Sequence, residues 1–104
     1  MTRQFDVFHN PAQQNRGTAP YLVVLQSHHL SAIDTVVVAP PIRPEAMKPD
    51  GLLSLEVDVD GVEFTAAIAL VVNMQAKRLT SRAGSLDRYE DDIRRALDRL
   101  FTGF

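Results

Sequence analysis

The chain contains no cysteine among its 104 residues, which excludes a disulfide framework and thiolate chemistry and leaves the redox compartment open. It has no run of eighteen apolar residues and no apolar leader segment, so neither membrane insertion nor secretion is indicated and the cytoplasm is the expected location. Basic charge is scarce too. Eleven Lys and Arg stand against 13 Asp and Glu, a net charge of −2 with no basic stripe, which argues against nucleic acid as a direct partner. There is no Gly-x-Ser-x-Gly elbow, no phosphate-cradling glycine loop and no His-Glu-x-x-His helix. The common nucleophile, nucleotide and zinc-hydrolase chemistries therefore lack their residues, and no catalytic residue or cofactor is expected.

What is present reads as strands followed by one helix, in a single domain spanning residues 1–104 that is marginal in size as a monomer. Residues 4–8 form a first strand with Phe5 and Val7 on one face, closed by Pro11. Residues 11–20 are polar and aperiodic and read as a loop. Residues 21–26 and 35–39 are short Val-rich apolar runs, expected in the core of a sheet. Residues 40–51 carry four prolines among charged residues and predict an exposed crossover. Next comes the clearest hairpin. Leu55, Val57 and Val59 alternate with Glu56 and Asp58, Asp60-Gly61 supplies a two-residue turn, and Val62, Phe64, Ala66 and Ile68 alternate back. Residues 67–72 are apolar on both faces, which predicts a strand buried in a small barrel or against a partner protomer.

Two arrangements imitate metal sites. Glu56, Asp58, Asp60 and Gly61 match the first half of a calcium loop, but Ala67 occupies the twelfth position, where a glutamate is required. The alternating acids read as the wet face of a strand. His28 and His29 are adjacent, and neighbours on a strand point to opposite faces, so they are poorly placed to grip one metal ion.

Residues 85–104 hold the amphipathic helix. Tyr89, Ile93, Ala96, Leu97, Leu100 and Phe101 repeat at the spacing of one buried stripe. Ser85 is the expected N-cap, acids precede arginines along the helix, and Glu90–Arg94 and Asp91–Arg95 are spaced to pair across one turn. Gly103 ends it. The apolar tail of Thr102, Gly103 and Phe104 either tucks back on the domain or is an interface.

The run Asp92-Ile93-Arg94-Arg95-Ala96-Leu97-Asp98-Arg99-Leu100-Phe101-Thr102-Gly103-Phe104 resembles the ending of the CcdB family of toxins from bacterial toxin–antitoxin pairs, which closes with an Asp-Ile helix and a Phe-Trp-Gly-Ile tail. Gln4-Phe5-Asp6-Val7-Phe8 is similar to the family's first strand, residues 21–27 to its second, and Ile33-Asp34-Thr35 with the valines that follow to its next segment. The resemblance implies a mainly β fold, an SH3-like antiparallel barrel with a C-terminal α-helix, assembled as a homodimer. It implies a toxin without catalysis that binds the A subunit of DNA gyrase and is opposed by a CcdA-like antitoxin folding onto it. Carried over by position, the gyrase-facing residues are His29, Leu30, Asp98, Phe101, Thr102, Gly103 and Phe104. Thr102 stands where the family has tryptophan, and His29 and Asp98 are further changes of polarity. Loss of a buried tryptophan anchor commonly removes about 2 kcal/mol or more of binding. A second reading stays open: a CcdB-fold dimer that binds an antitoxin, or serves as a regulatory or structural binding module, without poisoning gyrase.

Overall fold

The structure, a computed structural model, describes residues 2–12, 14, 17–30 and 32–103. Its strands are β1 (Asp6–His9), β2 (Tyr21–Val24), β3 (Thr35–Ala39), β4 (Pro41–Ile42), β5 (Ser54–Val59), β6 (Val62–Ala67), β7 (Val72–Gln75) and β8 (Arg82–Ser85). A 3-10 turn at Asp87–Tyr89 leads into the helix α1 (Glu90–Thr102). The fold is thus antiparallel β sheet closed by one C-terminal helix, as the periodicity predicts. One sheet has the order β7-β3-β2-β1-β8 and the other β4-β6-β5, with no ladder joining the two among the described residues.

The Val-rich runs become the centre of the five-stranded sheet because they are apolar on both faces. Val23 of β2 joins Phe5, Val7, Val57, Phe64, Ile68, Leu86, Ile93 and Ala96 in the main core between the sheets and α1. Its neighbours Leu22 and Val24 point the other way, into a second cluster with Phe8, Val36, Val38 and Leu79. Segment 76–79 covers that second face, so both sides of β2 are dry.

The β5–β6 hairpin forms in the expected register, Val57 opposite Phe64 and Val59 opposite Val62. Asp60 and Gly61 both take positive φ, 52° and 81°, the geometry of a turn whose twist matches the strands. Phe5 also has a positive φ of 72°, costly for a bulky residue. It is held there by its N–H donating to the Val24 carbonyl at 2.7 Å and its carbonyl accepting from Leu86 N–H at 2.8 Å. The first strand therefore begins at Asp6 and not at residue 4.

Four further expectations are corrected. Residues 40–51 are not wholly an exposed crossover: Pro41 and Ile42 are buried as β4 and pair with Ala66 and Thr65. Residues 67–72 are not one buried strand: β6 ends at Ala67, Ile68–Leu70 form a 3-10 turn, and Leu70 and Val72 are 46% and 51% exposed. Ser85 is not the N-cap of α1 but the last residue of β8, its hydroxyl accepting the Asp87 N–H at 3.2 Å. Arg95 pairs with Asp92 at 3.0 Å rather than with Asp91, whereas the Glu90–Arg94 pair forms at 3.1 Å. The predicted loop at 11–20 lies partly outside the described residues, as do Ser31 and Phe104. No described helix is long and apolar enough to cross a membrane.

Candidate functional site

Helix α1 is pinned along its length, and its far end is left bare. Ile93 and Ala96 are fully buried, with Tyr89 and Leu97 packed beside them on the main core. At its start the Tyr89 hydroxyl accepts the Asp58 N–H at 3.0 Å, and Arg88 lies 5.0 Å from the Tyr89 ring and 3.4 Å from the Asp58 carboxylate. In the middle, Arg94 reaches the Gln4 side-chain oxygen at 3.3 Å and stacks over Phe5. Near its end, Arg99 donates to the Leu52 carbonyl at 3.1 Å.

The last turn closes on itself. Gly103 adopts φ 81° and donates its N–H to the Arg99 carbonyl at 3.0 Å, the left-handed stop that glycine makes without a Cβ penalty. The Thr102 hydroxyl donates to the Asp98 carbonyl at 2.6 Å, a back-bond to the preceding turn. Asp98, Thr102 and Gly103 are exposed, and Phe101 is 70% exposed although it continues the apolar stripe. The stripe therefore overruns its own core by one residue. Phe104 lies outside the described residues.

Beside this end sits a loop that periodicity does not reveal as part of the site. Asp50 accepts three backbone N–H groups through one carboxylate oxygen, from Leu52 at 2.7 Å, Leu53 at 3.0 Å and Ser54 at 3.1 Å. Those donors, Leu52 first, lower its pKa to about 2. The bonds hold a tight loop that presents Leu52, 56% exposed, on the segment tied to α1 by Arg99. The signal in the sequence was Asp50-Gly51 followed by Leu52-Leu53-Ser54: an acid ahead of amide donors, easily read as plain turn chemistry.

His29 and Leu30 lie elsewhere. With His28 they form a 3-10 turn in which Ser27 accepts the His29 N–H through its hydroxyl at 3.2 Å and the Leu30 N–H through its carbonyl at 3.0 Å. The two histidine rings are 4.6 Å apart and tilted, so the opposite-face geometry expected of a strand does not apply. Leu30 is half-exposed and borders a cleft to which α1 contributes no residue. His28 faces a second cleft that does include Glu90 and Arg94, from the first half of α1. Asp98, Phe101, Thr102 and Gly103 are thus gathered on one turn, and His29 and Leu30 form a separate patch.

The acids of the hairpin stay on its wet face. Glu63 is raised above the ordinary carboxylate value by a hydrogen bond to Glu56 and by its charge. Among the described residues, no group of three or more His, Cys, Asp or Glu side chains could hold a metal ion. The arrangement at the end of α1 offers apolar surface and backbone groups, which suits it to covering by another protein.

Residues 4–103 match the family model described as CcdB protein. A search of curated proteins found no match to the chain.

Proposed function

The chain belongs to the CcdB family, and on that premise we propose that it is the toxin of a toxin–antitoxin pair and poisons DNA gyrase by binding its A subunit through the end of α1. The observation that carries this reading is Phe101, an aromatic side chain 70% exposed on a helix whose earlier apolar residues Ile93 and Ala96 are fully buried and Leu97 half-buried. A large apolar ring left in water at the end of a pinned element gains most when a partner covers it. Asp98, Thr102 and Gly103 share that end, Phe104 follows them in sequence, His29 and Leu30 supply a second patch, and Leu52 extends the first. The action is that of a wedge that traps gyrase on cleaved DNA, with no catalytic step of its own.

The chain acts as a homodimer in the cytoplasm. Leu70 and Val72 support the dimer, since both are exposed and Val72 opens β7, which among the described residues pairs with β3 alone and so forms one edge of its sheet. An open strand edge flanked by exposed apolar side chains is a surface that folded proteins often cover. A CcdA-like antitoxin opposes the toxin, and the loops around residues 11–20 and 40–51 are the segments it would engage.

The test is calorimetric titration of the purified protein against the dimerisation segment of gyrase A, with a truncation lacking residues 102–104 as control. Micromolar or tighter binding that disappears on truncation supports the poison. Thr102 favours the second reading, an antitoxin-binding dimer without gyrase activity. Its hydroxyl is spent inside the helix at 2.6 Å, and its short side chain offers no anchor where the family has tryptophan. A folded dimer that fails to bind gyrase leaves that second reading standing.

A further inference from the structure

The turn at His28–Leu30 is lightly built. Ser27 accepts the His29 N–H through its hydroxyl and the Leu30 N–H through its carbonyl, and the Leu30 carbonyl accepts the Ile33 N–H at 3.0 Å. His28 lines two clefts at once: an apolar one of about 290 Å³ bordered by Leu30 and Ile33, and a polar one that holds Arg3, Asp6, Arg82, Asp87, Glu90 and Arg94. Its ring is the partition between them. His28 Nδ1 is buried without a hydrogen-bond partner, the one side-chain nitrogen or oxygen so placed among the described residues.

A histidine cation carries an N–H on both ring nitrogens, so protonation sets a charged donor where neither water nor an acceptor meets it, and this costs more than the same vacancy on a neutral ring. The nearby carboxylates offer little help. Asp6 already accepts the Arg3 N–H at 3.0 Å and lies 3.3 Å from Arg82, Glu90 pairs with Arg94 at 3.1 Å, and Asp87 stands exposed in water. The His29 ring, 4.6 Å away, is a second basic group on the same turn. We propose that the His28–Leu30 turn is an acid-sensitive latch: it stays closed while His28 is uncharged, and a proton on His28 opens it by driving the ring out into water, which frees Leu30 and Ile33 from the cleft they border. Desolvation first, then the charges of Arg3 and His29, hold the His28 pKa below its ordinary 6.5, against a smaller opposite pull from Asp6. Linkage sets the direction. The closed turn binds the proton less readily than the open one, so closure is fully favoured above pH ~6.5 and is lost as pH falls from there, by up to about ten-fold per pH unit until the lowered pKa is reached. The latch belongs to this turn alone and stands whether or not the end of α1 binds gyrase.

The test is NMR of the isotope-labelled full chain between about pH 7.5 and about pH 5, the range in which histidine titrates. The imidazole nitrogens of His28 are expected to titrate with a midpoint below 6.5. Over the same range the exchange protection of the Leu30 and Ile33 amides, corrected for the intrinsic pH dependence of exchange, falls by up to about ten-fold per pH unit, while that of Val23 and Ile93 in the main core is unchanged. His28→Phe, which takes no proton, removes the pH dependence at Leu30 and Ile33, and His29→Gln keeps it. Three results overturn the proposal: a His28 midpoint at or above 6.5, protection at Leu30 and Ile33 that holds while His28 takes its proton, or a loss of protection that persists in His28→Phe. The wild-type curves decide the matter even if that variant fails to fold.

Discussion

Phe101→Ala should separate binding from stability in a way that few residues of this chain can. A phenylalanine side chain presents roughly 200 Å² of apolar surface. With 70% of it exposed, about 60 Å² is covered by the chain itself, worth about 1.5 kcal/mol at ~25 cal/mol per Å² and partly offset by alanine's better helix propensity. The net loss of folding stability should be about 1 kcal/mol or less. The other 140 Å² or so is available to a partner, worth at most ~3.5 kcal/mol and, after ordering costs, about 2–3 kcal/mol, a loss of roughly 30- to 150-fold in affinity. Urea denaturation measures the first quantity and calorimetry against the gyrase A segment the second. Two results would refute the reasoning. A destabilisation above about 2 kcal/mol would mean that Phe101 is buried in solution, and an unchanged affinity would mean that the helix end is not the contact.

Ile93→Ala, two helical turns inside the same stripe and fully buried, should cost about 2–5 kcal/mol of stability in the same denaturation assay; a cost below about 1 kcal/mol would show that α1 is not packed as described. Asp50 carries a pH signature. Its folded pKa is held at about 2 against an ordinary value of 3.8, so its contribution is complete above pH ~4 and lost as pH falls from there toward ~2. Asp50→Asn should therefore flatten the urea midpoint across that window relative to wild type, and identical profiles would remove the carboxylate from the explanation. Val72→Lys places a charge on the exposed β7 edge. If that edge is the dimer contact, sedimentation equilibrium should shift from two chains to one at micromolar concentration, whereas an unaltered mass would move the contact elsewhere.

Much of the fold was legible because local and tertiary preferences agree. The Asp60-Gly61 hairpin needs two positive φ values and has residues that tolerate them; β3 coincides with its valine run because nothing in residues 35–39 competes with a strand. Failures came where a tertiary contact overrode a local pattern. Pro41 and Ile42 look like part of an exposed linker, yet β6 offers an open edge, and Pro41, which lacks an N–H, fits a short outer strand. β8 was missed because Arg82-Ala83-Gly84-Ser85 has little strand propensity; it pairs with β1 because Phe5, in its positive-φ conformation, bonds to Leu86 directly after the strand ends.

The same distinction governs the site. Periodicity assigns Phe101 to the buried stripe, and only the three-dimensional position of the helix end shows that the core has run out beneath it. The residues around it are organised by bonds between distant segments. Arg99 meets Leu52 across 47 positions, and Asp50 shapes the loop that makes this meeting possible. A helical repeat predicts which side chains face inward but carries no information about where the inside stops. For a protein that would act by presenting its end to a partner, that boundary decides which residues can bind. It lies between Leu97, packed against the main core, and Phe101, four residues on and in water.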